Sequence, residues 1–238
     1  MPSSVQPPER AAAAGAFVTG TGTEVGKTIV AALIARTASD RGQSVRVFKP
    51  AVSGLEDHAG SGVLPDHELL RLAARSPQSD DQIAPYQYGP AVSPHLGAEL
   101  AGDVIEPGHL LAAVERERAH ADFVVCEGVG GFLVPLRLDY LVRDFARDLA
   151  LPVIVVATPG LGTINHTLLT VESVRDAGLD LAAVVLTPWP AKPSLIERSN
   201  LDAINLLGGA PVHTVPWIDA AAPQTWPQLD LGFRRDAL

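Results

Sequence analysis

The chain is 238 residues long, 47% hydrophobic, and carries 18 Lys and Arg against 27 Asp and Glu, a formal charge of −9. That length suits one α/β domain with a sizeable core, and the acidic balance leaves no basic stripe for a nucleic-acid partner. A single cysteine, Cys126, rules out an internal disulfide and fits a reducing compartment.

The segment before Ala16 is rich in Pro, Ser and Ala. It lacks the positive start of a signal peptide, and its apolar stretch runs straight into the first strand. Residues 1–14 are therefore expected to be a loose tail and 15–238 a single domain. The run Ala16–Thr19 leads into Gly20-Thr21-Gly22-Thr23-Glu24-Val25-Gly26-Lys27-Thr28 and a helix-forming stretch over Lys27–Asp40. Strand, glycine-rich turn and helix in that order make a phosphate-binding loop. Its glycines let backbone N–H groups converge on phosphate oxygens, and the helix N-terminus adds partial positive charge. Lys27 can reach the outer phosphates, and Thr28 offers a hydroxyl to magnesium. The strict G-x-x-x-x-G-K-T form is missed, because Thr21 stands five residues before Gly26.

The second strand, Val45–Lys49, is stopped by Pro50 and delivers Lys49, one of three lysines with Lys27 and Lys192, at its carboxyl end. A cation there can neutralise charge growing on a transferring phosphoryl group. The next helix, Asp66–Arg75, opens on a carboxylate that spacing alone marks as an N-cap, with Glu56 and Asp57 competing for any metal role. Ile83–Pro94 is rich in Pro, Tyr and Gly and reads as irregular; Pro107–Ala119 reads as a helix. The third strand, Phe123–Cys126, runs into Glu127-Gly128-Val129-Gly130-Gly131. A carboxylate ending an apolar strand is how phosphate-loop proteins hold magnesium, here Glu127 where Asp is usual. Cys126 reads as a small buried thiol rather than a nucleophile.

A helix is predicted over Leu138–Leu149 and a strand over Val153–Ala157. The apolar run Leu149–Ala157 is broken by Pro152 and too short to span a bilayer, so a soluble, cytoplasmic protein with no membrane partner is expected. Gly160-Leu161-Gly162-Thr163-Ile164-Asn165-His166 comes next. Glycines before a helix N-terminus suit an anion such as a substrate carboxylate, or simply close a strand-to-helix turn. His166 has no partner at metal spacing, and no Cys/His cluster reads as zinc. The remaining elements are a helix over Thr163–Ala177, a strand over Ala182–Thr187, a helix over Ser194–Leu207 and a weaker strand over Val212–Val215, with no pattern beyond Ala220. Continuous apolar strands alternating with helices predict an α/β fold of the P-loop NTPase type: a mostly parallel β-sheet flanked by helices on both faces, with ligands at the carboxyl ends of its strands.

Thr19–Thr28, Lys49–Gly54, Glu127–Gly131 and Leu161–His166, with Ser93-Pro94-His95 and Pro216-Trp217, match one pattern in order and spacing. Over about residues 15–218 the chain resembles the dethiobiotin synthetases. The resemblance implies a ligase of biotin synthesis that closes a cyclic urea from 7,8-diaminononanoate, CO2 or bicarbonate, and ATP or another nucleoside triphosphate, through a carbamic-phosphoric anhydride. It implies Lys27 and Lys49 as catalytic groups, with magnesium on Thr28, Asp66 and Glu127, and so promotes Asp66 above its neighbours. Nucleotide contacts would come from Glu24, Val25, Gly26, Lys27, Thr28 and Ile29, from Glu127, Gly128, Val129 and Gly130, from Thr187 and Pro188, and from Pro216, Trp217 and Ile218. Thr23 and Ser53 would lie near the diamine. The substrate carboxylate would meet Gly162, Thr163, Ile164 and Asn165 of a second chain, which makes a homodimer the expected state.

The chain departs from that pattern at the base. Thr187-Pro188-Trp189-Pro190 stands where many members carry an Asn-Asp pair that reads adenine, so a weaker preference for ATP is expected. Rival P-loop classes lack their own marks here. A cobyrinate amidase needs a glutaminase portion with a cysteine nucleophile. A switch-type ATPase of the partitioning class carries an extra lysine where Gly22 stands, and a metallochaperone GTPase wants an Asn-Lys-x-Asp motif.

Overall fold

The computed structural model describes residues 14–58 and 62–232; the expected N-terminal tail lies outside them apart from Ala14. The strands are β1 (Ala14–Gly20), β2 (Val45–Phe48), β3 (Ala51–Val52), β4 (Tyr86–Gln87), β5 (Phe123–Glu127), β6 (Pro135–Arg137), β7 (Tyr140–Leu141), β8 (Val153–Ala157), β9 (Leu181–Trp189) and β10 (Val212–Pro216). The helices are α1 (Lys27–Asp40), α2 (Leu55–His58), α3 (Asp66–Ala74), α4 (Asp80–Ile83), α5 (Pro94–Ala101), α6 (Pro107–Arg118), α7 (Val142–Leu149), α8 (Thr163–Asp176) and α9 (Leu195–Gly208).

Six strands form one parallel sheet in the order β10-β9-β8-β1-β5-β2. Its apolar runs are continuous because both faces are covered. Along β1, Ala16 and Val18 pack into one buried cluster with Val30, Leu33 and Ile34 of α1 and Leu70 of α3. Phe17 points the other way, into a cluster with Leu110 of α6, Phe145 of α7, Val171 of α8 and Ile204 of α9. The rings of Phe17 and Phe145 meet edge to face at 6.0 Å. Truncating either to Ala would cost about 3–5 kcal/mol in lost transfer energy and cavity formation. The strand order turns at β1, which has β5 on one side and β8 on the other. The loop after β1 thus opens at a topological switch point, where parallel sheets place their ligands.

The structure differs from the sequence reading in four places. Leu138–Leu149 is not one helix: Tyr140–Leu141 pairs antiparallel with Pro135–Arg137, and the Asp144 carboxylate accepts the Leu141 amide at 2.9 Å, so α7 starts at Val142. The Ile83–Pro94 stretch is not wholly irregular, since Tyr86–Gln87 pairs with Ala51–Val52. The short helices α2, α4 and α5 carried no periodic signal over their few residues. The segment beyond Ala220 straps back over α1: the Leu229 amide donates to the buried Thr37 Oγ1 at 2.9 Å, and Asp230 pairs with Arg41 at 2.6 Å. Among the described residues no helix is long and apolar enough to cross a membrane.

Candidate active site

The loop between β1 and α1 is shaped by positive backbone angles at Glu24 (φ 59°) and Gly26 (φ 93°). Glycine suits the second angle and the space around it. A Cβ on Gly26 would come within 2.6 Å of Thr187 Cγ2, so the methyl of Thr187 closes the loop from behind. Glu24 holds its left-handed angle without that freedom, a strain of the kind found at functional sites. The Lys27 ammonium donates to the Gly22 carbonyl at 2.7 Å, folding across the loop it serves. Thr23 and Glu24 stand exposed at the loop's tip, while Val25 is buried against Gly20.

Lys49 follows β2 and is 4% exposed; its Nζ donates to Asp66 Oδ2 at 2.5 Å and to Glu127 Oε1 at 2.7 Å. Asp66 is the first residue of α3 and Glu127 the last of β5, fully buried. Thr28 Oγ1 donates to Glu127 Oε1 at 2.9 Å. Two ammonium groups, two carboxylates and one hydroxyl thus converge from the starts of α1 and α3 and the ends of β2 and β5.

Burial opposes every charge in this group, and the pairings decide the outcome. Burial pulls the Lys49 ammonium down, but Asp66 and then Glu127 outweigh it, and the group titrates above the usual lysine range. Lys27 has weaker partners, so burial leaves it below that range, with the Lys49 charge adding to the fall. Burial also pushes Asp66 up, yet the Lys49 charge and its hydrogen bond hold this carboxyl below the ordinary value. At Glu127 burial prevails, only partly offset by Lys49, and the group sits above the ordinary range. Its second oxygen, Oε2, is buried without a hydrogen-bond partner. An orphaned buried carboxylate oxygen beside a hydroxyl and a second carboxylate is a donor set of hard oxygens that fits a magnesium-like cation.

The other expected residues lie where the sheet topology puts them. Gly128 is buried, Val129 and Gly130 are half-buried, and Gly131 lies 3.7 Å from the phosphate loop at Gly20 and Gly22, measured from the Cβ it would carry. Ile29 and Ser53 are half-buried. Thr187 is buried inside β9, which continues through an exposed Pro188 to Trp189; Pro216 ends β10 beside Trp189. Trp217 is 72% exposed, so packing does not account for it, and Ile218 packs against the α1 face of the core. Gly162, Thr163, Ile164 and Asn165 open α8, and among the described residues no hydrogen bond or ion pair joins them to the Lys49 group. Of the rivals to Asp66, Glu56 is exposed and lies against Gly89, and the Asp57 side chain is outside the described set.

One positioning device had no sequence signal. The Gln78 amide accepts from the Val47 N–H at 2.9 Å and donates to the Val47 carbonyl at 3.0 Å. The Lys49 amide donates to Ile83 O at 2.8 Å. Together they act as a substitute strand on the free edge of β2 and fix the backbone that carries Lys49. A second missed group, His67, Glu68 and Asp80, brings its ligand atoms within 4.8 Å, but Arg71 already lies 3.0 Å from Asp80 and neutralises it.

A family described as an AAA domain matches residues 14–225. The ATP-dependent dethiobiotin synthetase BioD of Parafrankia sp. (strain EAN1pec) is 43% identical over 82% of this chain and 80% of its own length. The enzymes of the same name from Aromatoleum aromaticum (40% identity; 87% and 92% covered) and Bacillus subtilis strain 168 (36%; 83% and 84%) are also similar. Among solved structures, a ParA family ATPase from Chlorobium tepidum TLS superposes with a TM-score of 0.53 at 15% identity, covering 88% of this chain and 87% of its own. The septum site-determining protein MinD from Pyrococcus horikoshii OT3, complexed with Mg-ADP, gives 0.51 at 17% identity over 86% and 81%. At such identity the last two share the fold alone.

Proposed function

The chain belongs to the ATP-dependent dethiobiotin synthetase family, and we propose that it closes the ureido ring of dethiobiotin from 7,8-diaminononanoate, CO2 and a nucleoside triphosphate. The observation that carries the reading is the Lys49 ammonium, buried and shared between Asp66 and Glu127 beside the phosphate loop. In the reaction one amine of the diamine adds to CO2 and loses a proton to give a carbamate. The carbamate oxygen attacks the γ-phosphorus as the bond to the β-γ bridging oxygen breaks and the nucleoside diphosphate leaves. The second amine then attacks the carbamoyl carbon, inorganic phosphate departs, and a proton is lost as the ring closes.

The physical problem is to hold two anions, carbamate and γ-phosphate, in line. Lys27 and Lys49 supply fixed positive charge in a buried site, where such charge is worth far more than in water. Thr28, Asp66 and Glu127 are the residues that would hold magnesium, which when bound screens the phosphate oxygens and lowers the cost of charge build-up on them. Asp66 and Glu127 would then exchange part of their pairing with Lys49 for the metal, freeing the ammonium to face the reacting oxygens. Thr23 and Ser53 line the path to the diamine. Thr187, Pro188 and the Pro216–Ile218 segment would border the nucleobase. With no Asn amide at Thr187, discrimination among bases falls to backbone and Trp contacts.

A homodimer completes the site in this reading, with the start of α8 meeting the substrate carboxylate bound by the other subunit. Leu161 (91% exposed) and Leu169 on α8 support it, being apolar side chains that a second copy would cover. A cytoplasmic location fits the reduced, buried Cys126, whose thiol burial pushes up to about 12. The test is incorporation of 13C-bicarbonate into product: one labelled carbonyl per dethiobiotin supports the reading, and unlabelled or absent product overturns it.

A further inference from the structure

Asn200 sits within α9, only 6% exposed, where α9 packs beside α8. Its Nδ2 donates to the carbonyls of both Pro159 and Gly160, each at 3.0 Å. Those two residues begin the turn that joins β8 to α8. Pro159 is buried, but the rest of the turn has little else to hold it. A Cβ on Gly160 would meet nothing within 4 Å, Leu161 is almost fully exposed, and Gly162 adopts φ 92°. No other side chain among the described residues hydrogen-bonds residues 158–162. The Gly160 carbonyl also accepts the Thr163 amide at 3.2 Å, and the Gly162 carbonyl accepts that of His166 at 3.3 Å. Among the described residues no backbone carbonyl outside α8 accepts the Ile164 or Asn165 amide, both in its first turn. Asparagine is a poor helix former, and a buried carboxamide is costly unless bonded. What the position returns for those costs is its grip on the turn.

We propose that Asn200 is a positioning residue for substrate recognition: it fixes the Pro159–Gly162 turn in the shape that presents the Ile164 and Asn165 amides to the substrate carboxylate. The inference rests on the reading above, in which α8 meets that carboxylate. Asn200 itself does not touch substrate; its amide neutralises two carbonyl dipoles that would otherwise be free to swing toward an incoming anion.

The experiment compares the full chain with Asn200→Ala and Asn200→Leu on two diamines, 7,8-diaminononanoate and 2,3-diaminooctane, the same diamine without its carboxyl group. Asn200→Leu keeps the branched four-atom skeleton, though bulkier, while losing both N–H donors, so it reads the hydrogen bonds should truncation to Ala loosen α9; circular dichroism checks the fold of each. The expected result is a KM for 7,8-diaminononanoate raised roughly tenfold, the loss of two buried hydrogen bonds, with kcat and the KM for nucleotide within about twofold. The KM for 2,3-diaminooctane should not move. An equal penalty on both diamines makes Asn200 a structural residue and overturns the proposal, as does no penalty on either. If the unaltered chain makes product without preferring the carboxylated diamine, the positioning role falls while the ring-closing activity stands. If it makes no cyclic urea from either, it is the function that fails.

Discussion

Lys49 and Glu127, 78 residues apart in sequence, meet at 2.7 Å because they are the next residues in register after a paired couple: β2 and β5 run parallel, with Phe48 opposite Cys126. The register alone brings the two side chains out together at the carboxyl edge of the sheet. Asp66 then closes on the same ammonium from the start of α3. The site is therefore an ion-pair group in which one ammonium is shared between two carboxylates.

Lys49→Ala leaves Glu127 fully buried without its hydrogen-bonded cation, with only the Lys27 charge still acting on it. In metal-free buffer the variant should lose about 3 kcal/mol or more of stability, the range for breaking one side of a buried pair. Magnesium should raise its melting temperature more than it raises that of the unaltered chain, since the metal replaces the missing cation. Catalytic rate should fall by a factor of about a hundred to a thousand, as for loss of a preorganised electrostatic group. Thermal denaturation with and without magnesium checks the first two, and equal shifts in both proteins would contradict the metal assignment.

Gly26→Ala should reduce nucleotide affinity at least tenfold, for two separable reasons. The backbone angle of 93° disfavours any side chain, and the new Cβ meets Thr187 Cγ2. Thr187→Ser removes that methyl, so the double variant should recover part of the loss and no more. Calorimetric titration with the non-hydrolysable triphosphate analogue measures it; full recovery would mean that the angle carries no cost.

Base choice should be loose. With Thr187 in β9 lacking a carboxamide, initial rates with ATP, CTP, GTP and UTP at subsaturating concentration are expected to agree within about tenfold, the worth of roughly one hydrogen bond. A large advantage for ATP would refute this. Thr187→Asn should move the ratio toward ATP.

The Asp66 carboxyl titrates below its unfolded value, so its pairing stabilises the fold above an unfolded pKa of about 3.9 and is lost as pH falls through the folded value. Lys49 has the opposite sign: raised above its unfolded value, it contributes fully below about pH 10.4 and is lost as pH rises past that. Metal-free Asp66→Asn should therefore show a shallower acid limb in denaturant titrations between about pH 5 and 2. An unchanged acid limb would show that Asp66 is not held by Lys49.

Most of this arrangement was legible in the sequence, and what was not has physical reasons. The parallel sheet and its alternating helices followed from long apolar runs such as Val153–Ala157, buried on both faces. Lys27, Thr28, Lys49 and Glu127 were readable because each adjoins a strand end or glycine turn that dictates its direction. Asp66 could only be separated from Glu56 and Asp57 by resemblance, since a loop of about a dozen residues hides which carboxylate returns to the sheet. Gln78 and Asn200 left no trace, because each acts on a backbone group distant in sequence, 31 residues away at Val47 and 41 at Pro159. The hairpin of β6 and β7 was lost to a helical periodicity that Asp144 cuts off at Leu141.

The most direct test is phosphate release from the magnesium nucleoside triphosphate and bicarbonate, with and without 7,8-diaminononanoate, following dethiobiotin by mass. The proposed reaction predicts release that depends on the diamine, one phosphate for each dethiobiotin formed. Release at the same rate without the diamine, and with no product, would contradict it and leave a nucleotide switch on the same fold.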